Sequence, residues 1–255
     1  MIYFLHKLSA FLYQTSGGVF YAFLGDILMK KPVFYTEFAY VCAILFIALG
    51  VALAAKAGFG VSMIAAPMYT FHLWLVQYTE VLTLGTLEYI FQGVIILSIT
   101  LLVRHFKISY LFSFATSVFS GLAIDLMFWV VSPLVAETLF VRIVVFAASI
   151  LSCAFGVSCI FHAYISPAGN ELFVKEFALR FGKDIHKVKT IYDMTFLVIS
   201  VALNLILFRG FVGIGIGTVI TAALNGPIIS VFAHALEKHF EFKAAFPKLE
   251  EYFKK

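Results

Sequence analysis

Charge is scarce in this sequence: Asp, Glu, Lys and Arg make up 13% of the 255 residues, whereas 62% are hydrophobic. A soluble domain is about one quarter charged, because charged side chains keep its surface hydrated. The apolar residues also fall in long runs, including 45–55, 94–103, 143–160 and 194–207. A chain of this size cannot hide all of these runs in one soluble core, so the composition predicts an integral membrane protein.

Cysteine is scarce as well, and Cys42, Cys153 and Cys159 all fall within predicted spans. They lack the close spacing of a metal-binding motif, and an odd number at membrane depth does not form a disulfide framework. The sequence has no Walker motif, catalytic-triad spacing or metal-spaced histidine cluster. No basic run alternates with aromatic residues, as it would on a nucleic-acid-binding surface. These absences argue against an enzyme, a bound cofactor or metal, and a nucleic-acid partner.

The apolar runs extend to six predicted spans, because a bilayer core about 30 Å thick needs roughly 20 apolar residues per helix. The predicted spans cover residues 37–56, 85–103, 108–131, 140–163, 187–208 and 214–236. Two short segments, 61–78 and 167–181, are broken by glycine or proline. Residues 1–36 are predicted to form an amphipathic or interfacial segment, with an extra span as the alternative for residues 1–29. Residues 237–255 are predicted to form a cytoplasmic tail with an amphipathic helix.

Two halves of the chain, 37–134 and 138–236, repeat one pattern of spans and short segments. Gly50-Val51 recurs 106 positions later as Gly156-Val157, and Ser120-Gly121 recurs 105 positions later as Asn225-Gly226. A nearly constant offset of this kind indicates an internal duplication. The fold class predicted is therefore an all-α integral membrane protein of about six spans in two repeated halves, each with a short broken or re-entrant helix.

The orientation of the halves depends on whether the short segments cross the membrane. Lys and Arg scarcely decide this, because the six-span order places 14 on one side and 3 on the other, and an eight-span order places 13 and 4. The second short segment carries Glu171, Lys175, Glu176 and Arg180, and each charge at the bilayer centre costs on the order of 3 kcal/mol. Such a segment is better suited to line a cavity, which predicts six spans in two inverted halves.

Short glycine motifs in both halves resemble those of the YczE/YyaS/YitT-like family of bacterial membrane proteins. In the first half they are Gly50-Val51, the stretch 56–62, Gly85-Thr86, and Gly121 before Asp125. In the second half they are the stretch 212–218 and Asn225-Gly226-Pro227. The resemblance covers about residues 40–236 and implies a multi-pass protein of the bacterial cytoplasmic membrane, without supplying a substrate.

The sequence departs from that family's pattern in its first short segment. Such proteins tend to carry an acid there, whereas the present sequence reads Gly-Val-Ser-Met-Ile-Ala at 60–65. Glu171 stands where the family's second acidic residue falls, and Asp193 stands at a position that is often Glu. If these acids define function, the chain retains the pair in its second half and lacks the acid of the first.

Glu171 is the first candidate for a solute site, because it begins a short helix directly after a breaker run that ends at Asn170. A half-helix N-terminus offers unpaired N–H groups, and transporters build sites on broken helices of this kind. The alternative is that Asn170 or Ser166 caps the helix and Glu171 only favours its first turn. Asp193 lies within an apolar span with Lys189 four positions before it, so the two are predicted to pair, either in a site or structurally.

Four further polar residues are candidates for lining or gating the pathway. His72 and Asn225 are predicted to line the site opposite Glu171, with a packing role as the alternative for His72. Asp125, deep in the fourth span, is predicted to gate or couple proton movement, or else to snorkel to the surface. His162 is a candidate proton relay, although an interfacial position is the more frequent role.

Two polar residues of the third span receive weaker assignments. Glu88 lies one turn into the span and is predicted to reach the surface by snorkelling. Gln92 is taken as the near counterpart of Asp193 in the first half.

These patterns predict a secondary transporter that moves a small solute by alternating access, with coupling to protons or ions or by facilitated flow. Two alternatives stay open: the substrate-capture subunit of a larger transporter, and a membrane scaffold or assembly factor. The expected partners are the solute and the lipid bilayer, with a homodimer as a further option.

Overall fold

The structure, a computed structural model, describes residues 31–79 and 81–254 of the chain. The regular elements of this part, in chain order, are β1 (Val33–Tyr35), α1 (Thr36–Ala57), α2 (Ala66–Leu75), α3 (Leu84–Val103), α4 (Ser109–Val130), α5 (Leu139–Ile160), α6 (Gly169–Phe181), α7 (Ile185–Leu207), α8 (Ile216–His239), β2 (Glu241–Lys243) and α9 (Pro247–Lys254).

Six helices are long and apolar enough to cross a membrane: α1, α3, α4, α5, α7 and α8. The two short helices lie where the breaker residues predict them. With 10 residues in α2 and 13 in α6, they extend only about 15 and 20 Å at a rise of about 1.5 Å per residue. Neither spans a hydrocarbon core about 30 Å thick. The chain is therefore a multi-pass membrane protein with six candidate spans, as the composition predicts.

Helices α1 and α5 form the centre of the fold and run antiparallel along their whole length. At one end Arg142 donates from Nε to the carbonyl oxygen of Ala57 at 2.7 Å. Midway, a Cβ on Gly50 would lie 2.9 Å from the backbone nitrogen of Cys153. At the other end Cys159 packs in a cluster with Ala43. Small residues at the crossing allow the two backbones to approach closely, as is typical of helix pairs in membranes.

The remaining helices pack around this pair in an arrangement that is nearly the same for the two halves. Helix α4 packs on α1 as α8 packs on α5, and α6 packs on α3 as α2 packs on α7. Arg104 and Arg209, 105 positions apart, both end their helices in the left-handed region, with φ of 55° and 53°. The one large departure is that α3 packs extensively on α4, whereas α7 and α8 form no comparable interface within the described residues.

Each short helix follows a break that the local sequence explains. Helix α1 ends at Gly58, whose φ of 69° is readily adopted only by glycine, and whose N–H donates to Ala54. The break before α6 contains Pro167, which lacks a backbone N–H and does not continue a helix. Helix α2 carries Pro67 at its first turn, where that missing donor costs nothing.

The alternating directions of the six candidate spans define two faces. One face, called the basic face below, contains the starts of α1, α4 and α7 and the ends of α3, α5 and α8. Basic residues concentrate in its segments: Lys31, Arg104, Lys107, Lys183, Lys187, Lys238, Lys243 and Lys248. The opposite face contains Lys56, Arg142 and Arg209.

The C-terminal tail folds back over the basic face. Strand β2 pairs in parallel with β1, with Phe34 opposite Phe242. The Glu37 carboxylate accepts hydrogen bonds from the backbone N–H groups of Ala245 at 2.9 Å and Phe246 at 3.0 Å, just before α9 begins. It also accepts one from the Tyr164 hydroxyl at 2.6 Å. Burial and this bond raise the pKa of Tyr164 above its usual value.

The tail differs from the prediction of an amphipathic helix over 237–255. Helix α8 continues to His239, and a strand precedes a short helix that begins only at Pro247. The reason is tertiary, because the backbone of β2 bonds to β1 at the other end of the chain. Residues 1–30 of the predicted interfacial segment 1–36, and with them the alternative of an extra span over 1–29, lie outside the described residues.

Candidate functional site

The N-terminus of α6 is buried against the middle of α3 and α4. The Gly169 N–H donates to Oε1 of Gln92 at 2.9 Å, with Oγ of Ser117 at 3.3 Å. Ser117 in turn donates to the same Gln92 oxygen at 2.8 Å. A Cβ at position 169 would lie 2.9 Å from the Gln92 carbonyl oxygen, so a glycine is needed for this close approach. The Gly169 N–H, the first donor of α6, is therefore already hydrogen-bonded to the Gln92 amide oxygen and the Ser117 hydroxyl oxygen.

Glu88 extends this network toward the opposite face. Its carboxylate accepts a hydrogen bond from Nε2 of Gln92 at 3.0 Å, and only 7% of the residue is exposed. The snorkelling predicted for Glu88 is therefore wrong, because its side chain turns toward α6 instead of the surface. The offset of 105 residues also makes Glu88, and not Gln92, the counterpart of Asp193.

Glu171 and Asn170 lie in the first turn of α6 and have different surroundings. Asn170 is 4% exposed, and its Oδ1 accepts a hydrogen bond from the Tyr192 hydroxyl at 2.8 Å. Glu171 is exposed, yet it is close enough to interact electrostatically with Glu88 and Tyr192. Asn170 therefore attaches α6 to α7, whereas Glu171 is exposed.

Asp193 and Lys189 form the ion pair that their spacing predicts, with Nζ to Oδ1 at 3.0 Å. Their side chains are 21% and 34% exposed, respectively. Asp193 is also within electrostatic reach of its neighbour Tyr192. The predicted pairing is confirmed, and both Glu171 and Asp193 lie within electrostatic reach of Tyr192.

Aromatic rings line the same region between α3, α6 and α7. Tyr192 lies 4.5 Å from Phe196 and 5.3 Å from Phe173, measured between ring centroids. Phe91 of α3 packs on Phe196 at 5.6 Å. Aromatic faces carry partial negative charge and attract cations, so these rings add to the field of the nearby carboxylates.

These groups constitute what is called the α6 site below. Its members share the junction of α3, α4, α6 and α7: Glu88, Gln92, Ser117, Gly169, Asn170, Glu171, Lys189, Tyr192 and Asp193. Three carboxyl groups lie at this junction against two lysines, since Asp193 pairs with Lys189 and Lys175 follows Glu171 by one turn of α6. The site therefore carries one excess negative charge when all of these groups are ionised. The first N–H of α6 is already bonded to Gln92, which leaves less of the helix end for an anion than the broken-helix pattern predicts.

Two of the other predicted residues lie near the opposite face, apart from the α6 site. His72 is half-buried in α2, near Leu82 and Asp125, and its Nδ1 has no hydrogen-bond partner among the described residues. Asp125 accepts hydrogen bonds from the Gly85 N–H at 2.8 Å and the Thr83 hydroxyl at 2.6 Å. The structure thus places Asp125 across the start of α3, and the snorkelling alternative does not hold.

His162 and Asn225 lie elsewhere again. The His162 ring stacks on Phe242 at 4.0 Å between centroids, and its Nε2 is 3.3 Å from Glu237, so it contacts the tail at the basic face. Asn225 lies midway along α8, and its Oδ1 is buried without a hydrogen-bond partner in the described part of the chain. The predicted grouping of His72 and Asn225 with Glu171 is not found.

Three members of the α6 site were missed or undervalued by sequence reasoning: Gln92, Ser117 and Tyr192. The spacing of Glu88 and Gln92 by four residues was a usable signal, since it places two polar groups on one face of an apolar span. Ser117 and Tyr192 gave no such signal, because isolated serines and tyrosines are common in membrane helices.

Comparison with known proteins supports the resemblance seen in the glycine motifs. A family model described as "Family of unknown function (DUF6198)" matches residues 34–234. The chain is similar to the uncharacterized protein YyaS of Bacillus subtilis (strain 168), with 25% identity over 204 residues, 79% of this chain and 94% of that protein. The predicted likeness to YyaS-like proteins is confirmed. No solved structure matches.

Proposed function

Because the chain belongs to the DUF6198 family, whose function is unknown, we propose a function from its own geometry: it moves a small, positively charged solute across the membrane by alternating access. The α6 site binds the solute, and no chemical conversion takes place. Transport is driven by an ion or proton gradient or is facilitated flow.

The observation that carries this proposal is the position of Glu171. It stands in the first turn of a helix too short to span, beside a buried chain of hydrogen bonds from Glu88 through Gln92 to Gly169. Buried charges within membrane helices are costly, so they are retained where they serve a pathway. Secondary transporters commonly place their sites at broken helices near the midplane, between repeated halves.

A cation suits the site better than an anion. Glu88, Glu171 and Asp193 outnumber the two nearby lysines, because Lys189 already pairs with Asp193 and only Lys175 lies within one helical turn of Glu171. The Tyr192 ring already lies 6.0 Å from Nζ of Lys189, and an ammonium group over an aromatic face gains about 0.5–2 kcal/mol, so this ring favours an organic cation. We therefore assign the solute to the amines or quaternary ammonium ions.

Inverted orientation of the two halves supports alternating access. Equivalent helices α1 and α5 run antiparallel, and the other contacts repeat around them. Helix α6 lies parallel to α3 and ends at the basic face, whereas α2 lies parallel to α7 and ends at the opposite face, with Thr70 bonded to Asn204. The N-termini of both short helices point inward from opposite sides, which is the arrangement of inverted-repeat transporters.

The charge distribution supports an orientation in the bacterial inner membrane. Cytoplasmic loops carry the excess of Lys and Arg, so the basic face is assigned to the cytoplasm. The tail and the exit of α6 then lie inside the cell.

Binding tests the proposal directly. Purified protein would be heated with alkali cations, primary amines and choline, and separately with carboxylates and phosphate. A ligand that binds only the folded state raises stability by about 2.7 kcal/mol at a hundred times its dissociation constant. We expect stabilisation by at least one organic cation and its loss in Glu171→Gln. The control Glu137→Gln removes an exposed acid between α4 and α5 and is expected to keep the response.

Flux into liposomes completes the test with the cation that binds. Uptake that persists in Glu171→Gln at the wild-type rate contradicts the site assignment. Stabilisation by anions alone contradicts the charge assignment.

A further inference from the structure

The two halves of the chain differ in one interface, and the difference lies where a gate would be. In the first half, Gly85 of α3 and Gly121 of α4 touch backbone to backbone, since a Cβ on Gly121 would lie 2.5 Å from the Gly85 carbonyl oxygen. The counterpart of Gly121 is Gly226 of α8, 105 positions later. A Cβ there would meet no described atom within 4 Å.

The faces that α7 and α8 leave apart are exposed over much of their length. On α8, Ala222 and Gly226 are exposed, whereas their counterparts on α4, Ser117 and Gly121, are buried. On α7, Met194 is 48% exposed, whereas its counterpart Tyr89 packs against Gly121. The loop that joins α7 to α8 at the opposite face is held in place, since the Gly213 carbonyl accepts a hydrogen bond from the Val61 N–H at 3.1 Å. The separation is therefore greatest toward the basic face.

The interface between α3 and α4 is held together at the opposite face. Asp125 of α4 reaches across to the start of α3 and binds both the Gly85 N–H and the Thr83 hydroxyl. A carboxylate at a helix N-terminus is stabilised by the unpaired N–H groups and the helix dipole. Its counterpart in the second half is Ser230, so the α7–α8 pair lacks an equivalent acid.

We infer that these helix pairs are the two gates of the transporter and that they exchange conformations. The structure has the gate at the opposite face closed, with α3 on α4 latched by Asp125, and the gate at the basic face open, with α7 apart from α8. In the other state α7 packs on α8 through Gly226, and α3 separates from α4. This inference rests on the proposed alternating access and names Asp125 as a gating residue.

Helix α8 is built to bend during such an exchange. Pro227 lies inside the helix next to Gly226, and a proline removes one backbone hydrogen bond and weakens the helix at that turn. The corresponding residue of α4 is Leu122. The movable gate helix thus carries a hinge where Gly226 would make contact.

Spin-label distances in liposomes test the exchange without any solute. In a variant whose three cysteines are replaced, one pair of labels is placed at Ile90 and Leu126, across the closed gate. A second pair is placed at their counterparts, Thr195 and Val231, across the open gate. All four side chains are exposed, so labelling does not disturb the packing.

Asp125→Ala is expected to lengthen the first distance and shorten the second, because it removes the latch. Loss of a helix cap of this kind shifts the ratio of two populations roughly fivefold.

Gly226→Leu is expected to have the reverse effect, since its side chain fits the open gate and obstructs closure. Ala202→Leu is the matched control, because the counterpart Leu97 is already a leucine and is 59% exposed. Glu137→Gln is the control for charge.

The exchange would be overturned if both distances were the same in wild type, Asp125→Ala and Gly226→Leu. Thermal unfolding measurements would show that all three proteins are folded. Two distances that lengthen together would also overturn it. If the two distances exchange but no cation binds, the gate inference is retained and the proposed substrate class is rejected. If Glu171→Gln loses cation binding but neither distance changes in the gate variants, the binding site is retained and the exchange is rejected.

Discussion

Gly50 and Gly156 hold the same position in α1 and α5, and each touches the backbone of the other helix. A Cβ on Gly50 would lie 2.9 Å from the Ser149 carbonyl oxygen, and one on Gly156 would lie 2.9 Å from the Ala43 carbonyl oxygen. Ser149 and Ala43 are themselves 106 positions apart, like the glycines. The two glycines therefore make equivalent contacts at the central crossing of α1 and α5.

This reciprocity predicts matched losses of stability. Gly50→Ala and Gly156→Ala place a methyl group against backbone that has no room to yield, which costs about 1–3 kcal/mol. Both variants are expected to lower the midpoint of thermal unfolding by similar amounts. Gly226→Ala, whose Cβ would meet no described atom within 4 Å, is expected to leave it unchanged. A large loss in only one of the pair would contradict an equivalent crossing.

Gln92→Leu is expected to destabilise the fold and abolish binding at the α6 site. The substitution removes the Nε2 donor to the buried Glu88 carboxylate and leaves the Gly169 N–H only the longer bond to Oγ of Ser117 at 3.3 Å. An unsatisfied buried group costs about 1–3 kcal/mol. Chemical unfolding and the thermal-shift assay measure the two effects. Gln77→Leu is the control, since Gln77 is exposed and bonds only within its own short helix. Equal losses in the two variants would show that Gln92 does not position α6.

Lys107 and Glu176 hold the end of α6 against the turn between α3 and α4, with Nζ to Oε1 at 2.8 Å. Breaking a fully buried pair costs several kcal/mol, but the lysine side chain is 43% exposed, which weakens the interaction. A double-mutant cycle with Lys107→Met and Glu176→Gln is expected to give a coupling of about 1 kcal/mol. Additive losses would mean that the two charges act independently.

Glu37→Ala is expected to release the C-terminal tail without unfolding the helices. The variant removes the acceptor for Ala245, Phe246 and Tyr164, so the turn that leads from β2 into α9 loses its side-chain attachment. Limited trypsin digestion reports this as faster cleavage at Lys248. Glu241→Ala is the control, because Glu241 pairs with its neighbour Lys243 on the surface. If Glu37→Ala is cleaved no faster than Glu241→Ala, the carboxylate does not hold the tail.

The sequence by itself determined the membrane class, the six candidate spans and the positions of the two short helices. Scarce charge and long apolar runs suffice for the first two, because the bilayer demands a minimum apolar length. Gly58 and Pro167 suffice for the third, because their backbone chemistry ends or prevents a helix locally. The pairing of Lys189 with Asp193 was also predictable, since four residues separate them on one helix face.

Contacts between distant segments were decided only by the tertiary structure. Glu88 was predicted to reach the surface because it lies near the end of a span. The sequence does not show which side of α3 faces other helices, and in the structure Glu88 is buried. The partners of Asp125 were not predictable, because Thr83 and Gly85 lie at the start of another helix. The tail looked helical because its strand needs β1, about 200 residues earlier. The separation of α7 from α8 among the described residues has no local signal, since it depends on how distant helices pack against each other.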